Sequence, residues 1–582
     1  MIDLVITGDR VVTPHDTGPA DVAIGGGKVV AVAARGGFPL PAGARLVDAT
    51  GKIVVPGGID PHTHCLWPIP NPDGTMGLTQ GPSVVGRAAL HGGTTTVIDF
   101  TRWTHGRSVQ EAIEARMRQW RADGCDCDWA LHTMVEGDLP PEVPSQLGEA
   151  IEAGHPTVKI FTTDITPSRK GRMVDFGDIW EVFQVLAARG GLGVVHAEDN
   201  DIVMHMYAKL FREDRAGFEN MAEVHNTLSE DLSFRRVMRL AERVPGTALY
   251  MMHVSAADGV RAIREARAKN LPVYGESLHQ YMLYTEADYR RPNGQIYHTY
   301  PSLKSQADQD ELWRGTFDGS INCVATDELC CSLAVKTQGK RIDDTTGGNS
   351  GVEPRVAVMY SEMVGKRGHS LRRFVDLVST NAARIMGLYP RKGAIAPGSD
   401  ADICILDPAL KREVRAEALH ESDYTPWEGR AVDAWPCMTV LRGRVVVEDE
   451  RWVGGDGRGG EWLRRRVPGE IRAGAAQYGW TIDLGAVSKI WRAGCIIRAD
   501  LLDVIMQAFG GRDTSRHPAP GTRAPGLPLN LLFAPEFAQA IAEALPAWRR
   551  VVGTAVAAGV PVPVFTSALA YYDGLRADRL PA

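Results

Sequence analysis

The sequence has no surplus of basic residues: 64 Lys and Arg stand against 71 Asp and Glu, a formal net charge of −7. Nucleic acid and anionic membrane surfaces are bound by concentrated positive charge, so neither is expected as the main partner. No apolar run reaches the ~18 residues that span a bilayer. The opening MIDLVITGDR carries charges where a secretory leader would be apolar. A soluble, cytoplasmic protein acting on small molecules is expected. Cysteine is scarce and irregularly spaced. Neither Cys125/Cys127 nor the adjacent Cys330/Cys331, among nine in all, shows the repeat of a zinc knuckle or disulfide framework. Reduced, mostly buried thiols are expected.

What is present is an ordinary globular composition, 44% hydrophobic and 23% charged, in a chain of 582 residues. That length suits one large domain plus one or two others. The first 55 residues alternate short β-rich runs with Gly and Pro turns, which predicts a small antiparallel sheet. The same texture returns near 392–408 and 432–453. Residues 1–56 and 392–455 are therefore expected to form one β-sandwich side domain around an inserted unit, 57–391. Within that unit eight apolar segments alternate with helix-compatible stretches: IVVPGGIDPH, TTTVIDF, DWALHTMV, PTVKIFT, GLGVVHAE, ALYMMHVS, LPVYGES and INCVATD. Eight strands each followed by a helix is the count of a (β/α)8 TIM barrel, so the expected class is α/β.

The ends of these segments carry the chemistry. Barrel sites form at the C-terminal ends of the strands, and there the sequence places His62 and His64, Lys159, His196, His253 and Asp327. In IDPHTHC the two histidines are two residues apart, so an extended chain turns both to one face. Four imidazoles and a carboxylate suit Zn²⁺ or another divalent ion. Lys159 is the misfit, because a buried ammonium is costly and offers no lone pair. Carboxylation by CO₂ removes both objections and makes it a bridging ligand. The expected site holds one ion on His62, His64 and Asp327 and another on His196 and His253, with carboxylated Lys159 and a hydroxide between them. The hydroxide attacks an amide-type carbonyl, and Asp327 acts as general base and then acid.

VVPGGIDPHTH, GGTTTVIDF, VKIF, VVHAEDN, MHVS, ATD, GVEPR and KGAIAPGSDADICILDP, in that order across residues 1 to about 470, resemble the dihydropyrimidinase and hydantoinase branch of the cyclic amidohydrolases. The resemblance implies a TIM-barrel hydrolase with a β-sandwich side domain, two divalent metals bridged by a carboxylated lysine, and tetrameric assembly. It also implies ring opening of a small cyclic amide or ureide. Its ligand positions fall on the same six residues. Metal-free scaffold relatives have lost ligands that this chain keeps.

Departures from the pattern concern the substrate. Relatives carry a tyrosine five residues after the lysine, whose phenol stabilises an oxyanion; here that position is Asp164. The histidine after the aspartate is Glu328, a serine is replaced by Tyr300, and the Asn before GVE is Gly347 unless Asn349 takes its place. These four sites, Asp164, Glu328, Tyr300 and Asn349, are the expected substrate contacts. Altered specificity is expected, toward a ring bearing a cationic or donor group opposite Asp164 or Glu328.

A Gly/Arg-rich stretch, 456–477, reads as an exposed connector to an all-helical module, 478–582. IWRAGCIIRA, VVGTAVAAGVPVPVF and ALAYYDGLRADRLPA resemble the C-terminal helical domain of 6-phosphogluconate dehydrogenase. Arg498 matches a phosphate-binding arginine of that family, which implies a residual anion site. The domain builds a dimer in its family, so a homo-oligomer, dimer or tetramer, is expected. The nucleotide-binding domain is missing, and AIGGG near residue 25 is no dinucleotide fingerprint, which argues against a bifunctional dehydrogenase. The competing readings are a metal-dependent hydrolase of a linear amide or lactone and a non-catalytic assembly scaffold.

Overall fold

The computed structural model describes residues 2–37, 41, 43–455, 459–467, 545–547 and 549–550. The chain divides into two units, Met1–Gly474 and Ala475–Ala582. The described residues of the second unit are helical. The rest of the expected helical module, Arg498 included, lies outside the described residues.

The first unit opens with β1 (Leu4–Val12), β2 (Thr17–Gly25), β3 (Lys28–Ala34) and β4 (Arg45–Pro56). Gly26 and Gly27 close the β2–β3 hairpin with φ of 57° and 78°, the left-handed pair that a two-residue turn needs. The chain then enters β5 (Gly58–Asp60), followed by a small hairpin of β6 (Pro68–Pro70) and β7 (Met76–Leu78). Seven more strands follow: β8 (Thr94–Phe100), β9 (Asp128–Met134), β10 (Thr157–Phe161), β11 (Leu192–His196), β12 (Ala248–Met251), β13 (Val273–Leu278) and β14 (Ile321–Ala325).

β5 and β8–β14 pair in sequence order, all parallel, one strand from each expected segment. The first and last strands meet where Thr326 Oγ1 donates to Asp60 Oδ2 at 2.6 Å and Glu328 N donates to His62 O at 3.1 Å. Helices cover the strands. Helix Val109–Asp123 starts at Ser108, whose side chain forms a reciprocal capping box with Glu111, and it turns Val109, Ala112, Ile113 and Trp120 inward.

After the barrel come β15 (Ile403–Asp407), the short pair β16 (Arg412–Glu413) and β17 (Ala431–Val432), then β18 (Trp435–Leu441), β19 (Arg444–Glu448) and β20 (Arg451–Trp452). β15 and β18–β20 join β1–β4 in one eight-stranded sheet, β20-β19-β18-β15-β4-β1-β2-β3. Leu4, Ile6, Val22 and Ile24 share a core with Ile403, Ile405 and Val440, so both ends of the chain build this domain. The sheet is mixed rather than antiparallel throughout. After β3 the chain returns to the free edge of β1, so β4 enters parallel to it, Leu4 opposite Arg45.

A buried ionic cluster joins sheet domain and barrel. Lys392 Nζ lies 2.5 Å from Asp128 at the start of β9, 2.5 Å from Asp402 and 2.9 Å from Asp400, and Arg442 also pairs with Asp128. Lys392, Asp128 and Asp402 are all buried. Removing the shared cation strands carboxylates without water, so Lys392→Ala should destabilise the first unit by about 3–5 kcal/mol, read as a drop in denaturation midpoint.

Part of the expected connector is not exposed. Trp129 N donates to Glu461 O, Leu463 N to Trp129 O and Arg465 N to Gly154 O, and Leu463 and Arg465 are buried. Arg465 Nη2 also donates to Thr157 Oγ1 at 2.7 Å. An arginine in a Gly/Arg-rich run looks solvated by composition, but here its guanidinium donates to the Leu131 carbonyl on β9 and to Thr157 at the start of β10.

Candidate functional site

Residues following β5 reach the mouth of the barrel, where His62 Nε2 and His64 Nε2 approach the same Asp327 oxygen at 3.0 and 3.1 Å. One donor atom from each of these three residues lies within 4.8 Å of the others. The ring centroids of His62 and His253 are 5.5 Å apart, and those of His196 and His253 4.4 Å. Parallel pairing delivers successive strand ends to one mouth, which is why residues spread from 62 to 327 meet here. Asp327 and His253 hold positive φ, 52° and 37°, a conformation costly for non-glycine residues that concentrates at functional sites.

Lys159 on β10 is buried in the same place. Among the described residues no carboxylate lies at ion-pair distance; its Nζ faces Met252 Sδ at 2.8 Å, a weak acceptor. Burial pushes its pKa down to about 7, against the pull of Asp327 and Glu276. Burial likewise holds His196 down at about 4 and His253 well below the usual range, leaving both as neutral donors. Burial opposes protonation of His62 too, but Asp327 and Glu276 outweigh it and raise His62 to about 9. Asp327 itself is held well below the usual carboxylate range, His62 and His64 overcoming its burial. Neutral His196 and His253, the pair His62 and His64 around an ionised carboxylate, and a lysine with no carboxylate at ion-pair distance fit divalent cations, which would displace the proton that His62 holds.

Two carboxylates orient this set, and the motif reading passed over both. Glu276 Oε1 accepts from His62 Nδ1 at 2.8 Å, while Tyr250 OH donates to its other oxygen at 2.9 Å. Glu198 Oε2 accepts from His196 Nε2 at 2.9 Å, leaving Nδ1 as the donor to a cation, and its other oxygen meets His225 Nδ1 at 2.8 Å. Such outer partners fix tautomer and ring orientation. The available signal was an acidic residue at a strand end in LPVYGES and two positions after His196 in VVHAE.

A cavity of about 290 Å³ opens over the six residues, walled by Trp67, Ile69, Phe161, Ile165, Tyr300 and Leu329. Of the expected substrate contacts, Tyr300 lines it, its OH donating to Thr345 O at 3.1 Å. A Cβ on Gly347 would fall 2.4 Å from the Tyr300 ring, so the glycine there makes room for the tyrosine. The other three do not face the cavity. Glu328 is fully buried and its Oε2 accepts from Gly351 N and Val352 N at 2.8 and 2.9 Å; only its main chain supports the site, through His62 O and His64 N. Asn349 is fully buried behind the cavity and pairs with Leu329 through its main chain. Asp164 Oδ1 accepts three backbone N–H groups, from Gly171, Arg172 and Met173, at 3.0, 2.9 and 3.0 Å. With both side chains turned to backbone donors, neither Asp164 nor Glu328 offers an acceptor in the cavity to the expected cationic or donor group.

Residues 53–446 match the model of the Amidohydrolase family, and residues 469–582 that of the 6-phosphogluconate dehydrogenase C-terminal domain. A D-hydantoinase of Geobacillus stearothermophilus is 34% identical over 481 residues, covering 81% of this chain and 98% of the relative. One from Streptomyces coelicolor is 33% identical over 467 residues, covering 78% and 96%. The crystal structure of a dihydropyrimidinase from Brevibacillus agri superposes with a TM-score of 0.74 at 32% identity, covering 80% of this chain and 99% of that one. Barrel, side sheet, a family model over residues 53–446 and relatives matched over nearly their full length agree: this chain belongs to the amidohydrolase family.

Proposed function

We propose that the protein hydrolyses a cyclic amide, imide or ureide ring, the reaction type of dihydropyrimidinases and hydantoinases. The observation that carries this reading is the meeting of His62, His64 and Asp327, beside His196, His253 and a buried lysine without an anionic partner, under an apolar-walled cavity. His62, His64 and Asp327 would hold one divalent cation, His196 and His253 a second, and Lys159, carboxylated, would serve both. Zinc suits this donor set. When bound, the two cations supply an acidified water and polarise the carbonyl under attack.

The remaining work falls to side chains of this chain. The Asp327 carboxylate, kept ionised by His62 and His64, takes the proton of the attacking water and returns it to the ring nitrogen as the C–N bond breaks. Water thus adds across one amide bond, its OH to the carbonyl carbon and its hydrogen to the leaving nitrogen. Thr299 Oγ1 donates to Asp327 Oδ2 and leaves Oδ1 toward the histidines. Glu276 holds the His62 Nδ1–H, presenting the Nε2 lone pair to the site. Trp67 and Phe161 limit water around the reacting ring.

The reading also includes the domain division 1–56 with 392–455, 57–391 and 478–582, a cytoplasmic setting, and a homo-oligomer built through the C-terminal segment. Among the described residues no helix is long and apolar enough to cross a membrane.

Metal content and intact native mass, on protein purified without chelator and kept in bicarbonate, test the reading. The expected result is close to two divalent ions per chain and an adduct of carbon dioxide mass lost in acid. Metal-free protein that takes up no zinc would leave an assembly scaffold instead, and turnover confined to linear amides or lactones would replace the ring substrate.

A further inference from the structure

Three guanidiniums line the cavity: Arg102, two residues beyond β8, and Arg169 and Arg172, in the loop after β10. Among the described residues Arg102 and Arg169 form no ion pair. Arg102 lies 5.2 Å from the Trp67 ring centroid and Arg169 5.5 Å from that of Tyr300. Arg172 is largely buried, packed 5.0 Å from the Phe161 ring and paired with Glu136 at 3.2 Å. Burial lowers its basicity to about 10, and Arg169 and Arg102 add to that shift, so the three cations are close enough to repel one another. The two acidic residues of the outer wall form no ion pair with these three arginines among the described residues. Asp343 Oδ1 pairs with Arg341 Nε at 3.0 Å, and Asp344 Oδ1 accepts the Arg341 N–H at 2.8 Å.

Asp164 explains how this arrangement is held. Its three backbone acceptor bonds, to Gly171, Arg172 and Met173, tie down the loop that carries Arg169 and Arg172. The residue that stands where relatives have a phenol therefore ties down a wall of arginines, with its own carboxylate turned to the loop backbone and outside the cavity lining.

We propose that the ring opened by this protein carries a carboxylate substituent, bound by Arg169 and Arg102 at the outer end of the cavity while the ring lies over His62, His64 and Asp327. The proposal rests on the ring-hydrolase reading. Guanidiniums with free N–H groups recognise carboxylate through charge-assisted, often bidentate bonds, and Arg102 and Arg169 present theirs at the exposed mouth of the cavity, beside the Trp67 and Tyr300 rings. Binding an anion also relieves the repulsion among the three arginines. The substituent is a spectator: one ring C–N bond breaks, water is added, and the product is a ureido or amido acid bearing two carboxylates.

Hydantoins substituted at carbon 5 with a carboxyethyl arm, its carboxamide isostere or a phenyl group test this with the metal-loaded protein. Binding of the matching ring-opened N-carbamoyl acids, read by calorimetry, gives a measure independent of turnover. The carboxylate arm should be preferred over the carboxamide by about 10-fold or more in kcat/KM and in product affinity, with a preference that weakens as salt rises. In Arg102→Gln/Arg169→Gln protein the two arms should become nearly equal, while Arg102→Lys/Arg169→Lys should keep part of the preference. Equal use of both arms by the native protein, a preference for phenyl, or a carboxylate preference that survives the double glutamine substitution would overturn the proposal. If the rings are opened without charge preference, the hydrolase reading stands and the anion site fails. If no ring is opened but the carboxylated acid binds in an arginine-dependent way, the hydrolase reading fails and the anion site stands.

Discussion

Asp327→Asn protein should lose about 10²–10⁴-fold in kcat on any ring that the native protein opens, the range for removal of a positioned general acid and base. Asparagine is nearly isosteric and can still face Thr299, but it cannot accept a proton from water and return it to nitrogen. The same residue is an expected ligand, so metal content must be measured on the same sample. Retained metal with collapsed kcat isolates the proton role; lost metal shows that ligation dominates. Native kcat with asparagine at this position would remove Asp327 from the mechanism.

Metal uptake gives an independent reading of the same charge. In the metal-free protein His62 is raised to about 9 by Asp327 and Glu276 against its burial, so below that pH it carries a proton that a cation must displace. Apparent affinity should therefore climb with pH and level off near 9. In Asp327→Asn the main group raising His62 is gone, and the plateau should arrive at lower pH. Zinc titration against a competing chelator from pH 6 to 10 measures both curves.

Lys159→Ala should lower activity by about 10³-fold or more, because several kcal/mol of transition-state stabilisation depend on paired cations. The native lysine has the features that carboxylation needs: it is buried, its Nζ lies against Met252 Sδ and 4.7 Å from the Phe161 ring centroid, and burial lowers its pKa to about 7, where much of it is the neutral amine that attacks CO₂. Alanine leaves a space of about the size of the lost group. Formate or propionate, which bring a carboxylate into that space, should restore part of the activity and of the metal content. Lys159→Arg offers no nucleophilic amine and should not be rescued. An alanine variant with two tightly held ions and native kcat would rule out the carboxylated-lysine reading.

The eight barrel strands and the six residues gathered at their ends were legible in the sequence because two local rules suffice: apolar runs of strand length mark parallel strands, and parallel strands in order deliver their C-terminal ends to one mouth. His62 and His64 in IDPHTHC needed only residue spacing, and Lys159 betrayed itself as a charge in an apolar strand. The mixed sheet was not legible, since the parallel entry of β4 beside β1 depends on where the chain returns after β3. Arg465, in a stretch that reads as solvated, is buried because it answers oxygens on β9 and β10 that are distant in sequence.

The charge of the cavity shows the same division most clearly. From the sequence, Asp164 and Glu328 looked like negative groups for a cationic substituent, whereas the folded chain spends Asp164 on three N–H groups of the arginine loop and Glu328 on Gly351 and Val352. By itself the sequence determined the barrel and the six histidine, lysine and aspartate side chains at its strand ends, because these follow from periodicity and strand polarity. Only the tertiary structure decided which carboxylates are consumed by backbone donors and which guanidiniums reach the cavity, because that turns on the paths of loops and on partners remote in sequence.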